Sequence, residues 1–316
     1  MISENSQLVL QGIAPVPHLG IVRAFGADAA NFLHNQLTND VLLMKEGECR
    51  LAAFCNAKGR MQASFVVYKR SPEEVFLICR RDLIAQTIKR LSMFVMRAKA
   101  TLNDATDEFQ LLGLAGDAVT QSLSGSASAG LLDVAPWQRH AVGLADVLTL
   151  YPAFGQSRAL WLAPKDTAAP AGSALSADAW QVGEVMSGIA WVEQATFEAF
   201  VPQMLNYESV DGVNFKKGCY PGQEIVARSQ FRGTLKRRAF IVQSTVPMAA
   251  GQEVFSSLDA AQPCGLIGQA AQDGAVCVAI AELQLSATEN SSLHLAASDG
   301  AVLQLLPLPY ALRDDI

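Results

Sequence analysis

The hydrophobic pattern of this chain changes character at Arg238, and that change constrains the fold more than any other feature. Before it, strand-like and helix-like runs alternate. Leu19–Phe25 reads as a strand and Gly26-Ala27-Asp28 as a turn. Ala29, Phe32, Leu33 and Leu37 then recur at helical spacing, and Asn39-Asp40 is expected to close the helix. Strands are expected over 51–55 and 61–68, flanking the turn Asn56-Ala57-Lys58-Gly59, and again over 75–79. Asp82 stands as an N-cap for a helix over 83–94. A second set follows, with strands over 110–114, 141–150 and 158–162 and a small-residue loop over 122–130. An Ala/Pro connector over 163–176 leads to a helix from Ala177 to about Gly188. Past Arg238 only short alternating runs remain, separated by Gly, Asp, Pro and Asn, which is the pattern of a small antiparallel β barrel or sandwich.

Composition narrows the class. At 316 residues the chain has the length of two domains, or of three small ones sharing an interface. Half of it is hydrophobic and 17% is charged, the balance of an ordinary globular protein. No uncharged apolar run of about 18 residues occurs, so no membrane span is expected. MISENSQLVL carries Glu4 and no basic stretch before an apolar block, and no signal or transit peptide is read in it. Six cysteines without a C-x-x-C pair suit a reducing cytoplasm, and four mutually isolated histidines supply none of the usual metal spacings.

The net charge of −6 argues against generic adhesion to nucleic acid, but its distribution is uneven. Residues 216–238 hold Lys216, Lys217, Arg228, Arg232, Lys236, Arg237 and Arg238 against Glu224 alone, a local +6 in a chain otherwise at −12. That segment is a candidate anion site, although a strand edge guarded by lysines has the same composition. It also contains the densest motif of the chain. Gly218 and Gly222 bracket Cys219, and Pro221 follows Tyr220, which implies a tight, preset turn presenting a thiol. Lys216, Lys217 and Arg228 are placed to favour thiolate over thiol, and Glu224 to orient a cation or accept a proton. A buried cysteine in a plain hairpin is the ordinary alternative.

The run K-G-C-Y-P-G-Q-E-I-V-A-R, residues 217–228, resembles the signature of the YgfZ family, K-G-C-Y-x-G-Q-E. The preceding F-V-P-Q-M-L-N and the following F-R-G-T-L-K-R-R resemble that family too. Residues 26–41, from G-A-D to Q-L-T-N-D-V, and N-A-K-G-R-M at 56–61 are similar to a pattern it shares with glycine-cleavage T-proteins. L-P-L-P-Y at 306–310 is also family-like. The resemblance implies an α+β, T-protein-like fold. Two α+β portions, roughly 1–105 and 106–232, would form a folate-binding region, and 233–316 a C-terminal antiparallel β barrel, around a central hole for tetrahydrofolate. It further implies that Cys219 carries the chemistry, with Lys217, Tyr220, Gln223 and Glu224 of the same signature.

A pterin offers a flat π face and amide-like edges, and its glutamate tail calls for cations. Trp180 corresponds to a family position that contacts folate, a core tryptophan being the alternative. A second such position, aromatic in the family, falls at Leu19, which supplies apolar contact only. Glu184 lies one turn from Trp180 and is either a pterin contact or a salt-bridged helix carboxylate. Arg228 completes the folate-binding candidates. T-proteins carry R-x-E-A-G where this chain has Glu184-Val185-Met186-Ser187-Gly188, so Met186 stands in place of their glutamate. They also use an aspartate in the region of Arg80-Arg81-Asp82. These departures favour what the YgfZ resemblance implies: a folate-dependent accessory protein in iron-sulfur cluster assembly or repair, and thereby in tRNA modification. Its expected partners are folate and iron-sulfur proteins or their assembly factors. A folate-dependent aminomethyltransferase or demethylase using Asp82 is the alternative, and a module docking protein or RNA through 216–238 a third. Direct nucleic-acid binding is the least expected, because the basic segment is short and the rest is acidic.

Overall fold

The computed structural model describes residues 9–124, 134–231, 235–289 and 291–313; Arg232 and most of the expected loop over 122–130 lie outside the described residues. The fold is α+β. A first antiparallel sheet runs in the order Cys49–Cys55, Met61–Ser71, Glu74–Arg80, Leu19–Phe25, Thr101–Asp104. Both of its faces are buried, and the period-two alternation of strands divides its residues between two cores. Val22, Phe65, Val67 and Leu77 face one core together with helix α1 (Ala29–His34) and the stretch holding Tyr207 and Val226. Ile21, Val66, Tyr68, Phe76 and Ile78 face the other. A strand buried on both sides needs no polar residue in alternate positions, which is why Phe65-Val66-Val67-Tyr68 is an uninterrupted apolar run.

The second core is shared with a second sheet, ordered Gly12–Pro15, Phe109–Ala115, Gln156–Pro164, Ala145–Ala153, Arg139–Val142. Leu148, Leu160 and Leu162 supply its inner face. Its edge strand comes from the start of the chain, Gly12–Pro15 pairing with Phe109–Ala115, so the two sheets are stitched together by a segment remote in sequence. Helix α2 (Ile84–Ser92) packs on the first sheet, and α3 (Asp117–Leu123) covers the outer face of the second. Helix α4 (Ala177–Met186) lies where the sheets and the C-terminal unit meet. That unit is a closed six-stranded antiparallel barrel running from Arg237–Ser244 to Val302–Leu306. Along its strands Val242, Ala279 and Ala281 fill the barrel, while the alternate Ile241, Val278 and Ile280 join the first core. Period-two alternation thus both fills the barrel and fastens it to the rest.

Local expectations differ from the structure at four places. Helix α1 stops at His34, and Asn39 instead ties the strand Cys49–Cys55 to a distant loop by donating to the carbonyls of Leu51 (2.8 Å) and Asp211 (2.6 Å). Asp82 does not cap α2, because a 3-10 turn over Arg81–Leu83 precedes the helix; its carboxylate accepts the Gln194 backbone N–H at 3.1 Å. The strand expected over 141–150 is split by the turn at Gly143, whose φ of +61° favours glycine, into Arg139–Val142 and Ala145–Ala153. The signature segment continues into an unforeseen helix, α5 (Gln223–Phe231).

Candidate functional site

The signature cysteine sits on a turn held from beneath. Gly222 has φ +78°, and a Cβ there would lie 2.4 Å from the carbonyl oxygen of Asn56 and 2.7 Å from Gly59, so only glycine lets the turn lie flat on the 56–59 hairpin. Ile225 of α5 closes on Gly59 from the other side. The backbone of α5 is tied to the F-V-P-Q stretch, Gln203 Nε2 donating to the Val226 carbonyl at 2.7 Å. Three motifs far apart in sequence therefore meet at one place.

On this base Cys219 is exposed, whereas the other five cysteines are buried. Burial holds the thiols of Cys49, Cys55 and Cys79 well above the ordinary range, and they are inert by comparison. Lys217 is folded inward, 8% exposed, with Nζ donating to the Gly218 carbonyl at 3.1 Å and lying 4.6 Å from the Tyr220 ring centroid. Burial lowers its pKa to about 8, against the fields of Asp40 and Cys219, which work to raise it. Tyr220 is buried, and burial pushes its hydroxyl up. Gln223 and Glu224 open α5, with Glu224 and Arg228 exposed to solvent. Among the described residues of the expected basic patch, two cations are taken up by ion pairs and one is turned inward. Arg238 is buried against Glu208 at 2.6 Å, Arg237 binds Glu282, and Lys217 is inward, which leaves Lys216, Arg228 and Lys236 exposed.

The folate candidates form a second, buried group. Trp180 is fully buried, its ring flat on Gly113, where a Cβ would come within 2.6 Å of ring atoms. The Arg158 guanidinium stands 4.4 Å from the indole centroid. The indole Nε1 donates to Glu184 Oε1 at 3.0 Å, and His18 Nε2 lies 3.0 Å from Glu184 Oε2. Burial alone would raise the Glu184 carboxyl; the charge and hydrogen bond of His18, with Arg158 and Arg80, bring it below its usual value. Leu19 belongs to the same core and is equally buried. His18 and Arg158 were not foreseen from the sequence. Their only signal there is adjacency, His18 preceding Leu19, and that says nothing of a carboxylate 166 residues away.

Two cavities lie beside this junction. The inner one, about 20 Å³, is lined by Glu184, Arg158, Tyr151, Trp191 and Trp137, and holds no more than about one water. The outer one, about 710 Å³, is lined by Trp137, Phe215, Phe231, Gln230, Arg50 and Lys216 among others. Trp137 is a wall of both, its indole N–H donating to the Val210 carbonyl at 3.0 Å. Cys219 lines neither. Among the described residues no group of three His, Cys, Asp or Glu side chains is placed to hold a metal, and no helix is long and apolar enough to cross a membrane.

Comparison with known proteins places this architecture. Residues 10–149 match the family described as the GCVT N-terminal domain. The tRNA-modifying protein YgfZ of Sodalis glossinidius is 30% identical over 307 residues, 93% of this chain and 91% of that protein. The protein of the same name from Klebsiella pneumoniae is 30% identical over 305 residues, 92% of this chain and 90% of its own length. The structure superposes on the glycine cleavage system aminomethyltransferase T of Bartonella henselae with a TM-score of 0.68 at 14% identity, covering 96% and 87% of the two chains. With its signature turn docked on the 56–59 hairpin and its closed C-terminal barrel, the chain belongs to the YgfZ family and has the fold of aminomethyltransferase T.

Proposed function

We propose that this protein is a folate-binding accessory factor that supports iron-sulfur cluster assembly or repair, and thereby tRNA modification, through the thiolate of Cys219. One observation carries the reading: a single exposed thiol stands beside an inward-turned lysine on a turn whose motif is held by two other segments, the 56–59 hairpin and the F-V-P-Q stretch. A bare surface cysteine needs no such support, whereas a nucleophile or transient metal ligand does. The cluster or its iron is the cargo in this reading.

The residues present fit a folate. The outer cavity has the volume of sites that hold ligands of that size, with aromatic walls at Trp137 and Phe215 and cations at Arg50 and Lys216 for the glutamate tail. Gln230, buried on its wall, has an unpartnered Oε1. Inward of Trp137, Arg158 lines the inner cavity with its Nε buried and unpartnered, and a pterin edge supplies what such a group lacks. Glu184 backs that inner chamber, with Trp180 hydrogen-bonded behind it; the pterin edge reaches it only if the Trp137 indole moves aside. A bound reduced folate would supply a one-carbon carrier or a redox-active ring.

The reading is tested by complementing a deletion strain and measuring thiolated tRNA. The Cys219→Ser variant, folded and expressed, is expected to leave the deletion phenotype in place, and full rescue by it would end the proposal. Quenching of tryptophan fluorescence by 5-formyl-tetrahydrofolate is expected in the parent protein and to be lost in Arg158→Met.

A further inference from the structure

We propose that His34 and Asp40 form a proton-accepting dyad for Cys219, so that the thiol is activated by an imidazole held in place by a carboxylate. This rests on the reading of Cys219 as a working thiolate and names the group that receives its proton. His34 is the last residue of α1 and Asp40 lies in the turns after it; the imidazole Nδ1 is 3.1 Å from Asp40 Oδ1. Asp40 is itself immobilised. Its Oδ1 accepts the Leu43 N–H at 2.8 Å, its own N–H donates to Asn39 Oδ1 at 2.8 Å, and Arg50 donates to its carbonyl at 2.8 Å. A carboxylate at Nδ1 selects the tautomer with the proton there, leaving the lone pair on Nε2.

That nitrogen faces the cysteine turn. A Cβ on Gly218 would lie 3.6 Å from His34 Nε2, and, apart from Gly218 and its two chain neighbours, no other described atom comes within 4 Å of that position. Gly218 has no need of glycine for its backbone, since its φ is not positive. What its missing side chain does is leave the imidazole uncovered toward the adjacent residue, Cys219. In the proposed dyad the exposed thiol of the next residue meets Nε2 directly or through one water once a substrate is bound, apo sites commonly showing looser geometry. In the step, the S–H bond breaks, its electron pair remains on sulfur, and the proton forms an N–H bond at Nε2. The imidazolium so formed is balanced by Asp40.

The other charged groups at this place have separate parts. Lys217 presents an ammonium to the thiolate while donating to the Gly218 carbonyl. Lys216 and Glu224 flank the turn in solvent. Arg50 and Lys69 act on Asp40 from the first sheet. The plain alternative is that His34 serves only the end of α1, where a cation is favoured by the exposed carbonyls. In that case its loss changes stability and leaves the thiol as it was.

The experiment measures alkylation of the full-length protein by iodoacetamide at pH 7 and pH 9, with Cys219→Ser as the background for the five buried thiols. The parent is expected to react faster at pH 7 than glutathione; if it does not, the reading of Cys219 as an active thiolate fails and the dyad with it. Given a fast parent, His34→Gln is expected to lower the pH 7 rate about tenfold while leaving the pH 9 rate within about twofold, because a thiol ionised by solvent no longer needs an acceptor. Imidazole added to His34→Ala should restore part of the loss. Gly218→Val, at a backbone any residue adopts, should lower the pH 7 rate by covering Nε2. Rates in His34→Gln and His34→Ala equal to the parent's at both pH values, in folded protein, would overturn the dyad while leaving the thiolate reading intact.

Discussion

Two regions of this molecule each take a cation out of water, and they resolve the cost differently. At the junction beneath α4, Arg158 is 3% exposed and faces the Trp180 ring, with the carboxylate of Glu184 acting on it. Burial lowers its pKa to about 10, and the field of Glu184 opposes that fall, so the guanidinium stays charged throughout the neutral range. At the cysteine turn, Lys217 is 8% exposed, and among the described residues no carboxylate comes within ion-pairing distance of it. Its nearest partners are a carbonyl and a π face, and its pKa falls to about 8. The field of Glu184 and the Trp180 π face offset the burial of Arg158 without a direct ion pair, and the charge stays fixed. With no such carboxylate, Lys217 makes the turn titratable near neutral pH, beside an exposed thiol. The difference separates a charge that stays fixed across neutral pH from one that can be switched there.

The sharpest way to break this contrast is at Glu184. Glu184→Gln removes the carboxylate that acts on buried Arg158, accepts from Trp180 Nε1 and lies 3.0 Å from His18 Nε2, and is expected to destabilise the fold by about 3–5 kcal/mol, read by chemical denaturation at pH 7. Because the native carboxyl titrates below its usual value, its contribution is present above the ordinary carboxylate range and is lost as pH falls through the native pKa. The gap between parent and variant should therefore shrink on acidification, and a gap independent of pH would show that the pairing is not its source.

Next in size is the docking of the turn. Gly222→Ala forces a side chain into a left-handed backbone and against Asn56 and Gly59, and should cost about 2 kcal/mol. It should also slow alkylation of Cys219 at pH 7, because the turn lifts from the hairpin. Loss of stability with an unchanged rate would mean that the turn needs no support.

The smallest effect has the opposite sign. Lys217→Met keeps the packing against Tyr220 and removes a charge held without a carboxylate, so it is expected to stabilise the fold by about 1 kcal/mol at pH 7. The lysine's native pKa lies below its unfolded value of 10.5, so the parent gains stability from this group as pH rises from about 8 toward 10.5. The advantage of the variant should fade over that interval. Its Cys219 should react more slowly at pH 7, and a variant both stabler and equally reactive would remove Lys217 from the chemistry.

The residues of the signature were legible as a turn presenting a thiol, because glycine and proline act on the backbone locally. The barrel was legible for the same reason: alternation and turn residues are properties of short windows. Helix α5 was missed although its signal was present, nine residues without Gly or Pro directly after Pro221-Gly222. Asp82 was misread because Asp before an apolar run looks like a cap whether or not a 3-10 turn intervenes. The histidines were read as isolated, and along the chain they are. His34 and Asp40 meet only because α1 ends early and the following turns fold back, and His18 meets Glu184 only through the stacking of two sheets under α4.

By itself, then, the sequence determined most of the element types, the position of Cys219, the family resemblance, and the charge available around the thiol. Tertiary structure decided which charges remain free. Arg237 and Arg238 are absorbed by Glu282 and Glu208 from elsewhere in the chain, while Lys217 is buried without such a partner. Local backbone preference acts over a few residues, but desolvation and pairing depend on what the fold brings from far away, and no window of the sequence contains that information.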